Sequence, residues 1–172
     1  MILSNGYATG YSPGRVRQRA EFAAKAITAL SRYTGATAVV VHGNSGVSCG
    51  FAALMVTDTP FNLALLRKDN DNSHGAPIEG PEGHKLAGYL ILDDFVSSGA
   101  TLNRVRDKIN KLHRAGGVGF APECLGIVLY NHHILISHIG QMIELLVYED
   151  NIPTMIIGLH RCSNNTRNLY KR

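Results

Sequence analysis

Cysteine is scarce in this chain: Cys49, Cys124 and Cys162 are the only three, odd in number and far apart. Such a set builds no disulfide framework and offers no zinc-site spacing, so a reducing, cytoplasmic setting is expected. No apolar run approaches membrane-spanning length, and the first residues lack a charged start followed by an apolar stretch. Neither a membrane span nor a secretory signal is therefore expected. Charged residues make up only 17% and are scattered rather than blocky, which excludes a disordered or coiled-coil chain. Internal repeats and low-complexity segments are also missing. What remains is a globular composition, 45% hydrophobic over 172 residues, enough for one sizeable core and one domain spanning residues 1–172. The net charge of +4 suits an anionic partner, but the basic residues do not gather into one run, so nucleic acid is not favoured over a small anion.

Ser12-Pro13-Gly14 opens a helix whose apolar face is Val16, Ala20, Ala23, Ile27 and Leu30, and Gly35 closes it. Thr37 to Val41 is a short β-branched run suited to a strand buried on both faces. The loop His42-Gly43-Asn44-Ser45-Gly46 follows, then an apolar helix from Val47 to Thr57 and a strand from Asn62 to Leu66 ending in Arg67-Lys68. Residues 69–87 lose apolar periodicity and read as a long mobile loop. Gly88 to Asp93 is a third strand, Leu102, Val105, Ile109 and Leu112 mark a helix ending at Gly116-Gly117, and Leu125 to Tyr130 is a fourth strand. Ile136 to Tyr148 is expected as a helix, Pro153 to Leu159 as a fifth strand, and Arg161 to Arg172 as a solvated basic tail. Alternating strands and helices predict an α/β, doubly wound, mainly parallel five-stranded sheet with helices on both faces.

In such a sheet, ligands bind beyond the carboxyl ends of the strands. Asp93 and Asp94 close the third strand, and two adjacent buried carboxylates repel unless a cation or hydroxyl donors compensate. A ribose diol with magnesium supplies both. Ser97, Ser98, Gly99, Ala100 and Thr101 then turn into a helix, offering amides, hydroxyls and a positive helix end to a phosphate. A ribose 5-phosphate fits the pair of features. Asn131, His132, His133 and His138 have no carboxylate or cysteine to complete a metal set, and read as surface or cap histidines.

Two acidic residues closing an apolar strand, then a Ser/Thr/Gly loop, resemble the phosphoribosyl pyrophosphate motif of the type I phosphoribosyltransferases. The likeness covers roughly residues 14–130. It implies that Gly43, Asn44, Ser45 and Gly46, with Arg67 and Lys68, bind pyrophosphate, that Ser97 to Thr101 hold the 5′-phosphate, and that Asp93 and Asp94 hold the diol and Mg2+, directly or through water. Arg67-Lys68 and His74-Gly75 are similar to pairs flanking the mobile loop of orotate phosphoribosyltransferases, which implies catalytic roles for Asp93, Asp94, Lys68 and His74. Those enzymes carry a lysine between the pairs, where Asp69, Asn70, Asp71, Asn72 and Ser73 stand here, and a longer hood before the first core helix. Residues 157–172 are the expected substitute hood.

The activity so implied is transfer of a phosphoribosyl group from phosphoribosyl pyrophosphate to a nucleobase, orotate-like or purine, with release of pyrophosphate, by a homodimer. The alternative is a regulatory module that keeps the sugar-phosphate site without catalysis and binds nucleic acid. A third reading, a different chemistry on a related ligand, requires either a synthetase for which the chain is too short or cleavage of a nucleoside.

Overall fold

The computed structural model describes residues 12–67, 77–80, 86–94, 100–116, 122–130, 134–139, 142–149 and 152–159. Helix α1 (Pro13–Thr34) begins with a proline in its first turn, where the missing N–H has no helical partner to lose. It ends at Gly35, which adopts φ 77° and donates its N–H to the Ser31 carbonyl at 2.8 Å. Ala20, Ala23, Ile27 and Leu30 are buried as their spacing predicts, and Phe22, Ala24 and Ala26 join them. The extra burial follows from packing on two sides, because small alanines let α1 lie close to both the sheet and its neighbouring helix.

Strand β1 (Ala38–His42) passes directly into helix α2 (Gly43–Val56), which leads to β2 (Asn62–Leu66). A two-residue strand β3 (Ile78–Glu79) precedes β4 (Gly88–Asp93), helix α3 (Ala100–Gly116) and β5 (Glu123–Leu129). Strands β2, β1, β4 and β5 lie side by side in that order, all parallel. Val39, Val41, Leu90, Leu92 and Val128 face α1 and α2, whereas Val40, Ile91 and Ile127 face Leu102, Val105 and Ile109 of α3. Each buried aliphatic side chain contributes roughly 1.5–3 kcal/mol, so a one-residue slip, which would exchange the faces, is strongly opposed. From β1 the chain winds outward one way through α2, and from β4 the other way through α3. Right-handed crossovers in opposite directions place the helices on opposite faces and leave a crevice where they diverge, between the carboxyl ends of β1 and β4.

All five expected strands form, within a sheet of eight. Three more strands flank the parallel centre. Ile136 to Tyr148, expected as a helix, is instead part of two strands, β6 (Ile134–Ile139) and β7 (Met142–Glu149), with β8 (Ile152–Leu159) beyond them. Each pairs antiparallel with its predecessor, starting from β5. Ile136, Ile139, Ile143 and Val147 recur at spacings of three and four, which a helix would also satisfy. Gly140 weakens a helix interior, however, and the β-branched residues around it suit a pleated sheet. The fifth expected strand therefore ends the sheet in antiparallel pairing.

Within the expected loop 69–87, Ile78 and Glu79 pair antiparallel with Leu66 and Leu65 at the sheet's edge. Gly80 makes that possible: it has φ 145°, and a Cβ there would stand 2.8 Å from the Ala64 Cα and the Leu63 carbonyl oxygen. The other residues of the loop, apart from Pro77, Leu86 and Ala87, lie outside the described residues, as do 160–172 of the expected hood and tail. No helix among the described residues is long and apolar enough to cross a membrane.

Candidate functional site

Asp93 and Asp94 end β4 at the mouth of the crevice, each only 8% exposed. Side-chain alternation sends Asp93 toward the α3 side and Asp94 toward the α1–α2 side, since Ile91 and Leu92, each two residues earlier, lie on those respective faces. Asp93 accepts the N–H of Asp94 at 2.9 Å, and its carbonyl accepts the N–H of Tyr130 at 3.1 Å. Burial, to which the neighbouring charge of Asp94 adds, pushes the Asp93 carboxyl up to about 7 despite the N–H it accepts. A buried acid so raised is held ready for a cation or for hydroxyl donors, either of which would restore its charge.

Opposite the acid pair stands the first turn of α2. The sequence predicts a loop at His42 to Gly46, but Gly43 turns the chain at φ 74° straight into the helix. Backbone N–H groups of Asn44, Ser45 and Gly46 thereby belong to a helix amino end rather than an irregular loop, still a setting that favours anions. Gly46 is buried against β4, where a Cβ would sit 3.2 Å from the Leu92 carbonyl oxygen. That contact brings the turn beside the acid pair. At the end of β1, the His42 ring nitrogen Nδ1 lies 2.9 Å from the Leu66 carbonyl oxygen, tying β1 to β2 at the same end of the sheet.

Tyr130, just past β5, links these parts and was assigned no role by the sequence reading. Its hydroxyl shares a hydrogen bond with that of Ser45, and the Arg19 guanidinium lies over its ring, 5.9 Å from the centroid. Burial first, then the negative charge of Asp94, holds its phenol above the ordinary range. The available signal was an aromatic residue at the carboxyl end of a strand adjacent to the acid pair. Cys49 packs beneath, its thiol 3.9 Å from the Arg19 carbonyl oxygen, and burial pushes that thiol up to about 12. It stays protonated and serves packing; Cys124 is likewise buried, its thiol pushed up to about 11.

Arg67 leaves β2 at the same end of the sheet, but its guanidinium is engaged by Glu79 of β3. Its backbone is fixed on both sides: its N–H donates to the Pro77 carbonyl at 3.1 Å, and Lys108 of α3 donates to its carbonyl at 2.6 Å. Glu79 and Lys108 are thus further partners that sequence reasoning did not find. Ala100 and Thr101 open α3. Lys68, His74, Lys85, Ser97, Ser98, Gly99, His132 and His133 lie outside the described residues. The structure accordingly brings together Asp93, Asp94, Gly43 to Gly46 and the ends of β1, β2 and β5.

Among the described residues no group of three or more His, Cys, Asp and Glu could cage a metal ion. Asp93 and Asp94 fit a magnesium ion that takes most of its oxygens from a bound ligand, directly or through water.

No protein-family model and no curated protein matches the chain. Among solved structures, the orotate phosphoribosyltransferase of Francisella tularensis superposes with a TM-score of 0.53 at 15% identity, covering 71% of this chain and 54% of that one. The orotate phosphoribosyltransferase of Mycobacterium tuberculosis H37Rv, solved with inorganic phosphate, gives a TM-score of 0.45 at 16% identity over 67% and 61% of the two chains. The chain spans about half the length of the Francisella protein, and the likeness is one of fold.

Proposed function

We propose that this chain, which has a type I phosphoribosyltransferase-like fold, transfers the 5-phosphoribosyl group of phosphoribosyl pyrophosphate to a nucleobase. One observation carries the reading: a buried acid pair on β4 stands beside the amino end of α2 at the divergence of the parallel sheet. A sugar diol and an anion attached to the same sugar would both be met there.

In the proposed reaction a ring nitrogen of the base attacks C1 of the sugar. The C1–N bond forms as the C1–O bond breaks, its electron pair leaves with pyrophosphate, and the nitrogen gives up its proton. Asp93 and Asp94 hold the diol, so the sugar is fixed while positive charge develops at C1. The amides of Gly43 to Gly46 hold pyrophosphate, and Arg67 with Lys68 offsets its charge as it departs. Ser97 to Thr101 hold the 5′-phosphate at the amino end of α3. His74 contributes from the segment that follows Lys68. Magnesium, when bound with the substrate, supplies further neutralisation of pyrophosphate. The acceptor is an orotate-like or purine base.

A second reading has its own observation in Asp69 to Ser73, which carry no lysine between Lys68 and His74. It is a regulatory module that binds the sugar phosphate and nucleic acid without turnover. Incubation with magnesium, phosphoribosyl pyrophosphate and a panel of orotate, uracil, adenine, guanine, hypoxanthine and xanthine separates the two. Pyrophosphate release that depends on one base supports the transferase. Sugar-phosphate binding without release, together with salt-sensitive nucleic-acid binding, supports the module, and failure to bind the sugar phosphate rejects both.

A further inference from the structure

Arg67 leaves β2 on the face of the sheet that carries α2. Leu63 and Leu65 pack toward α1 and α2, and Arg67 continues that alternation two residues on. Leu66 is in register with His42, so Arg67 and Gly43 leave strands about 4.8 Å apart at the same level. The cation is therefore rooted beside the turn proposed to hold pyrophosphate. Its side chain, only 11% exposed, is nevertheless turned outward to Glu79, which stands opposite Leu65 on the same face. Nε and a terminal nitrogen of Arg67 both meet one Glu79 oxygen. A guanidinium fork offers a phosphate the same geometry that it offers a carboxylate.

We infer that Glu79 is a tethered stand-in for the ligand's pyrophosphate: it occupies Arg67 and is displaced when pyrophosphate binds. Only side chains have to move for that exchange. The main chain of Arg67 is fastened by Pro77 and Lys108, and β3 is held by its own pairing with Leu65 and Leu66. Glu79 is 44% exposed, so its carboxylate can turn into water while the strand stays paired. A cation as buried as Arg67 is costly to hold without an anion, and the exchange replaces one anion by another. The contact also selects the ligand. A carboxylate already mounted on the sheet loses little freedom on pairing, so a free monoanion of equal charge competes poorly with it. Pyrophosphate carries more charge and is gripped by the α2 amides at the same time, which lets it displace Glu79.

The inference rests on the transferase reading for the identity of the ligand, and its test separates the two. Isothermal titration of the full chain with inorganic pyrophosphate and with phosphoribosyl pyrophosphate, each with magnesium, should show Glu79→Gln binding both about tenfold more tightly than the parent. Glutamine keeps the length of the side chain, and circular dichroism and melting check that the fold persists. Glu79→Asp, which keeps the charge but draws the carboxylate back by one methylene, should bind both more tightly as well. In Arg67→Ala the affinity should fall, and adding Glu79→Gln to it should restore nothing, because the competition runs through Arg67. Equal or weaker binding by Glu79→Gln, in a chain whose parent binds phosphoribosyl pyrophosphate, overturns the inference and leaves the proposed function standing. A gain that persists in the Arg67→Ala background also overturns it, since that gain would reflect only the removal of a negative charge. Binding of neither anion by parent or variants overturns both.

Discussion

The backbone N–H of Tyr130 holds the carbonyl of Asp93 at 3.1 Å while the Tyr130 hydroxyl is hydrogen-bonded to Ser45. One residue at the end of β5 thus joins the acid pair, through its backbone, to the first turn of α2, through its side chain. Tyr130→Phe keeps the ring beneath Arg19 and removes only the bond to Ser45. Loss of one such bond should cost about 0.5–1.5 kcal/mol of stability. Under the proposed function it should also raise the KM for phosphoribosyl pyrophosphate about threefold to tenfold, the same energy read as binding. Thermal melts and initial rates test both, and an unchanged KM with lowered stability would confine Tyr130 to packing.

Asp93 gives a pH dependence of definite sign. Its carboxyl is pushed from 3.8 up to about 7 in the folded chain, so between those values the folded state binds more protons than the unfolded state. Stability of the ligand-free protein should therefore fall as pH rises from about 4 to 8 through this group. Asp93→Asn should flatten that fall and gain on the order of 1–3 kcal/mol at pH 8, while abolishing the proposed turnover. Denaturant unfolding at several pH values is the measurement; equal slopes for the two proteins would show that Asp93 ionises freely.

Much of this site is written locally in the chain, and its supports are not. Asp93-Asp94 after an apolar strand and Gly43 to Gly46 after another can be read from the sequence, because strand order and the helix that follows determine where such ends must lie. Arg67 is equally legible as a cation at a strand end, yet its pairing with Glu79 depends on β3, whose two residues carry no periodic signal. Tyr130 meets Ser45 across 85 positions of sequence, a separation no local pattern encodes. The strands β6 and β7 were misread for a related reason: their isoleucines satisfy a helical spacing as well as a pleated one, and only pairing with β5 decides between them.

Gly80→Ala should place a methyl group against the Ala64 Cα and the Leu63 carbonyl at a φ that alanine rarely adopts. Backbone cannot yield there as a flexible side chain would. A loss of about 1–3 kcal/mol or more is expected, with exchange of the Arg67 amide, now bonded to Pro77, accelerated. Hydrogen exchange resolved by residue would reveal this, and protection equal to the parent's would show that β3 tolerates the substitution.

Ligand linkage offers a test without mutation. Phosphoribosyl pyrophosphate with magnesium at about a hundred times Kd should stabilise the fold by about 2.7 kcal/mol. Chelation should remove most of that gain if Asp93 and Asp94 meet the ligand through a cation. A melting temperature raised equally with and without chelator would assign the pair to the diol alone.

Strands β1 and β4 are hydrogen-bonded neighbours, with Val41 opposite Leu92. Their separation is fixed by the backbone at about 4.8 Å, and sliding one along the other proceeds only in steps of about 3.3 Å. The two halves of the proposed site are therefore mounted on a ruled scale. Small substitutions elsewhere can loosen or tighten what each half holds, but they cannot continuously vary the gap between the halves. A change of acceptor base would have to come from segments outside this pair of strands, leaving the sugar-phosphate spacing as it stands.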